Sequence, residues 1–126
     1  MTTNPDTQRL LDDVSDRDRR RWQMAAARAL TEILKRADRQ KLKPIDWTMG
    51  GSSRLVGNLT ATDYGNVEKN VTAAFTRWAD LLCLTCDKLA MKSGGGIYLV
   101  GRHDNWRPSP KVTGARITVI AQTFAL

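Results

Sequence analysis

The sequence predicts an α+β domain of order α-β-β-α-β-β, a four-stranded, mainly antiparallel sheet with two helices on one face. Three observations predict it. Two stretches carry apolar residues at helical spacing, and each is followed by a pair of short strand-like segments. The length of 126 residues is enough for one core without staples.

Residues 1–14 are polar and open with Thr-Thr-Asn-Pro, and they read as a flexible acidic tail with room for a helical turn around Leu10–Leu11. Residues 15–126 read as the single domain. Ser15 with Asp18 three positions on is a capping-box variant, and Asp16 and Asp18 suit the positive end of a helix dipole. Trp22, Ala25/Ala26, Ala29/Leu30, Ile33/Leu34 and Ala37 then recur at 3.6-residue spacing, which predicts one amphipathic helix ending before Pro44.

Ile45, Trp47 and Met49 alternate with polar residues, Gly50-Gly51-Ser52-Ser53 reads as a turn, and Leu55, Gly57 and Leu59 alternate again: a β-hairpin. Helical spacing returns from about Asn66 to Met91, with Ser93-Gly94-Gly95-Gly96 as its stop. Ile97–Val100 reads as a strand, His103–Lys111 as a loop stiffened by two prolines, and Arg116–Ala121 as the last strand. This order is formally a circular permutation of the ferredoxin-like arrangement, which does not imply kinship. Trp22, Trp47 and Trp78 fall on apolar stripes and are expected in the core.

The net charge of +7 is unevenly placed. Residues 1–16 carry four aspartates against Arg9, whereas residues 17–43 carry ten Lys and Arg against Asp18, Glu32 and Asp38. On an ideal helix Arg17, Arg21, Arg28, Lys35 and Arg39 fall within an arc of about 40°, opposite the Trp22/Ala29/Ile33 stripe. Such a row can track phosphates or dock on an acidic protein surface; it is also what the solvated side of any amphipathic helix carries. Trp106, between Arg102, Arg107 and Lys111, reads either as a stacking platform beside cations or as an aromatic folded back to cap the sheet.

Cys83-x-x-Cys86 falls well inside the expected second helix, not at a helix N-terminus where the dipole would lower a thiol pKa, so two small, buried or half-buried hydrophobes are expected. A zinc site would need both thiolates, His103 (the only histidine) and a fourth ligand such as Asp104. The two glycine-rich stretches lack the Gly-Lys-Ser/Thr ending of a phosphate loop. No catalytic residue, metal site or cofactor is expected. No apolar run reaches membrane-spanning length and the first residues lack the apolar stretch of a secretory signal, which with two cysteines points to a cytoplasmic protein.

Trp22, Leu42-x-Pro44-Ile45-x-Trp47-Thr48, Leu55-x-Gly57 and Phe75-x-x-Trp78 resemble small uncharacterised proteins of actinobacteria and their phages. The resemblance covers about residues 22–80, and every matched residue is a core or turn type. It implies a shared fold and a phage or mobile-element setting, and assigns no site residue.

The expectation is a non-catalytic accessory protein that binds nucleic acid through Arg17, Arg21, Arg28, Lys35 and Arg39, with Trp106 and Arg107 assisting. The alternative is a protein-interaction module or homodimer using an open, apolar sheet face that includes some of Val56, Tyr98, Val100 and Ile120. A thiol or zinc enzyme built on Cys83, Cys86 and His103 is the minor alternative.

Overall fold

The computed structural model describes the backbone of residues 5–50, 53–90 and 96–124, and the side chains of 16–50, 53–87 and 96–124. The chain is α+β. Its elements are α1 (Pro5–Arg39), β1 (Asp46–Gly50), β2 (Arg54–Leu59), a 3-10 turn (Ala61–Tyr64), α2 (Glu68–Leu82), β3 (Thr85–Ala90), β4 (Ile97–Trp106) and β5 (Ala115–Gln122). The sheet has five strands, not four, in the order β1-β2-β5-β4-β3. Three of its pairings are antiparallel, whereas β2 and β5 run parallel at its centre.

The extra strand comes from the second helical stretch. Expected to run to Met91, α2 stops at Leu82 because Cys83 adopts the left-handed conformation (φ 55°, ψ 47°). Leu84 N–H donates to Ala79 O (2.9 Å) and Cys83 N–H to Asp80 O (3.4 Å), the paired bonds that close a helix C-terminus. The chain then turns into β3, where Thr85 and Leu89, four apart, mimic helical spacing. Ser93–Gly95, expected to stop the helix, lie outside the described residues; the described chain before them is β3, ending at Ala90. At α1 the same device operates with Lys41 (φ 57°), and Leu42 N–H donates to Ala37 O (3.0 Å).

Two further boundaries move. α1 begins at Pro5, ahead of the start expected at Ser15. β4 runs on past Val100 to Trp106, absorbing His103–Trp106 from the expected loop.

Both helices pack on one face of the sheet. Their buried residues Ala26, Ala29, Ile33, Val71, Phe75, Trp78 and Leu82 meet Leu55 and Leu59 of β2, Leu99 of β4, and Ile117, Val119 and Ala121 of β5 in one cluster. Trp47 is half-buried on this face, edge-on to Trp78 with ring centroids 5.9 Å apart, and its ring passes over Gly57, its register partner. A Cβ at Gly57 would sit 3.1 Å from that ring and 2.7 Å from Ile45 Cδ1, so only glycine admits the indole there.

α1 is about 52 Å long, far more than the sheet needs. Ser53 Oγ, in the turn between β1 and β2, donates to Trp22 O (3.2 Å) and marks where the helix leaves the sheet. From Asp16 to Met24 no residue of α1 is buried, and burial begins at Ala25. Trp22 consequently stays 39% exposed and is not the core residue its spacing predicts.

Candidate functional site

All five residues of the expected stripe, Arg17, Arg21, Arg28, Lys35 and Arg39, are exposed on α1, but they do not form one uniform row. Glu32 divides them. It accepts from Arg36 Nε (3.1 Å) and Arg39 Nη2 (3.4 Å), and Arg39 Nε also donates to Lys35 O (3.3 Å). The hydrogen bond from Arg36, reinforced by the charges of Arg36, Arg39 and Lys35, holds the Glu32 carboxyl below its ordinary value of 4.5. The C-terminal part of the stripe is thus partly neutralised within the helix.

The N-terminal part is not. Arg17, Arg20, Arg21 and Arg28 line a shallow cleft of about 370 Å³ with Met24 and Ala25, closed on one side by Thr113 from the segment between β4 and β5. Among the described residues no carboxylate lies within ion-pair distance of these four arginines. Like charges three and four positions apart on a helix repel, so the cluster costs α1 stability. Arg20 lies outside the expected arc; its signal in the sequence is the three-residue spacing from Arg17, which becomes useful only because the neighbouring segment walls the cleft.

Trp106 is not a platform. It is 5% exposed, pairs with Ala115 after an irregularity in the β4–β5 register, and joins the core cluster. That irregularity turns Trp106 inward beneath α1, where Arg36 covers its ring. Arg107 is exposed, yet it braces its own loop: Nη1 donates to Pro110 O (3.5 Å), and the Asn105 amide oxygen, turned to face the guanidinium, accepts from Nη2 (3.0 Å) and Nε (3.2 Å). The loop is tied to α1 through Arg36 Nη2, which donates to Pro108 O (3.1 Å).

The cysteines leave the helix interior with the shortening of α2, and both are exposed, so neither is the buried or half-buried hydrophobe expected. Cys83 lines a polar hollow with Thr85, Asp87, Arg102, His103 and Asp104. Cys86 lies in β3 beside Gly101; partial burial, then Asp80 and Asp87, push its thiol up, which disfavours a nucleophilic thiolate. His103 Nδ1 accepts from Asn105 N–H (3.1 Å). Among the described residues no three His, Cys, Asp or Glu side chains are grouped to hold a metal ion, and no helix is long and apolar enough to cross a membrane.

Comparison of the chain with protein-family models, with characterised proteins and with solved structures finds no match.

Proposed function

We propose that this chain is a non-catalytic accessory protein that binds nucleic acid through the N-terminal half of the basic face of α1. The carrying observation is the cleft of Arg17, Arg20, Arg21 and Arg28, four exposed guanidiniums with no ion pair among the described residues. Each can give a planar pair of donors to a phosphate, and their release of condensed counterions would supply most of the affinity. Arg107 and Lys111, exposed on the neighbouring loop, extend the positive field beyond Thr113. Lys35 and Arg39 are peripheral in this reading, and Trp106 serves the fold. The phage or mobile-element setting implied by the resemblance belongs to the same proposal.

The test is titration against labelled duplex DNA and RNA at several salt concentrations, beside an Arg17/Arg21/Arg28→Glu variant. Binding should fall steeply with salt, with a log–log slope of about −0.9 per phosphate contacted, and the variant should lose it. Wild-type protein that ignores duplexes at low salt would leave the cleft as a docking face for an acidic protein surface and sink the proposal.

A further inference from the structure

Three more arginines stand together on the sheet face that neither helix covers. Arg54 and Arg116 are register partners at the starts of the parallel strands β2 and β5, and Arg102 on β4 pairs with Thr118 on the other side of β5. They line a shallow hollow of about 420 Å³ with Asp104, Val56 and Ile120. All three are exposed, and among the described residues none has an ion pair, Asp104 included. Like charges placed directly opposite on adjacent strands repel, and a threonine or valine would serve the sheet better at either position. Further along the strands Val56, Ile120 and Tyr98 are half-buried on the same face beside Asn58, Gln122 and Asp87, and Val100, expected open there, is buried. Cations at one end and apolar and aromatic side chains at the other share one shallow surface.

We propose that this open face binds single-stranded nucleic acid, with phosphates on Arg54, Arg102 and Arg116 and unpaired bases over Val56, Ile120 and Tyr98. A duplex offers such a face its phosphates but keeps its bases stacked inside, whereas an unpaired strand presents both. Asp46 and Asp87 stand on the same face towards its outer strands, so the positive charge is local: the hollow, three arginines against Asp104, fits the phosphates of a polyanion. The site lies across the sheet from the α1 cleft and stands independently of it.

The experiment uses the full chain with labelled oligothymidine and, separately, a DNA duplex. Arg54→Gln/Arg116→Gln, which removes a like-charge pair at exposed positions, should leave the thermal midpoint unchanged or raise it. It should weaken oligothymidine binding about tenfold or more and cut the salt slope by about 1.4, while sparing duplex binding. Tyr98→Ala should weaken oligothymidine alone, and Arg54→Lys/Arg116→Lys should recover most of the lost slope. Unchanged oligothymidine binding in the Gln variant overturns the proposal, as does wild-type protein that binds no oligothymidine. A Gln variant that alters only the sedimentation mass assigns the face to a second copy and overturns it too. If duplex binding is absent from the wild type but oligothymidine binding depends on Arg54 and Arg116, the α1 proposal falls and this one stands.

Discussion

The Arg36 guanidinium lies over the Trp106 ring, its carbon 5.1 Å from the ring centroid, and joins α1 to the end of β4. Its Nη2 holds Pro108 O and its Nε holds Glu32, so one side chain fixes the helix, the strand end and the loop behind the arginine cleft. Trp106→Ala should cost about 3–5 kcal/mol, the range for a buried large aromatic. Arg36→Ala should cost about 1–2 kcal/mol from the lost cation–π contact and the hydrogen bond to Pro108. Urea denaturation checks both, and near-equal losses would remove Trp106 from the core.

Glu32 supplies an acid-sensitive contribution to the same corner. Its folded pKa is lowered, chiefly by the Arg36 hydrogen bond. The stabilisation is therefore present above the unfolded value and lost as pH falls through the folded one. Glu32→Gln should lower the urea midpoint at neutral pH and flatten its decline between about pH 5 and pH 3. Parallel wild-type and variant curves over that interval would show that Glu32 does not titrate against Arg36.

Both helices end on a side chain held at positive φ. Cys83 (φ 55°) and Lys41 (φ 57°) occupy the position that glycine usually takes. The left-handed conformation costs an L-residue about 1–2 kcal/mol, partly offset by the extra unfolded-state freedom of glycine. Cys83→Gly and Lys41→Gly should each stabilise the protein by up to about 1 kcal/mol, read as a rise in the urea midpoint. A fall would mean that the side chain contributes more than its backbone strain costs.

These two positions also show why the second half of the fold is hard to read from sequence. The hairpin Asp46–Leu59 is legible because its period-two alternation has no competing helical reading, and α1 is legible across its buried part because its alanines and Ile33 hold one face. Helix α2 has no glycine or proline at its end. Cys83 gives no sign of a left-handed turn, and Thr85 and Leu89 continue the helical spacing into β3. The candidate site divides in the same way. The exposure of Arg17, Arg21 and Arg28 follows from periodicity, whereas Arg20 needs Thr113 from a distant segment, and Arg54 meets Arg116 only through a parallel pairing that no local pattern encodes. The inward turn of Trp106 depends on a register irregularity equally invisible in the sequence.

Gly57 offers a check on the packing of the β1–β2 hairpin against the helices. A Cβ there would meet Ile45 Cδ1 at 2.7 Å and the Trp47 ring at 3.1 Å. Gly57→Ala should cost about 1–3 kcal/mol through overpacking and disturb Trp47 fluorescence. A variant with unchanged midpoint and unchanged emission would place the indole elsewhere.

The position of β5 has a consequence for how the chain assembles. It is the last strand in sequence yet the middle strand in space, flanked by β2 and β4. Until it emerges from a ribosome, β1–β2 and β3–β4 are separate ladders, and the edges of β2 and β4 that receive it are open to other chains. The parallel pairing of Arg54–Leu59 with Arg116–Ala121 closes a loop of about sixty residues before it gains anything, the kind of step that slows folding. A chain stopped short of Ala115 would be two half-sheets with unsatisfied edges, prone to pair with each other's copies.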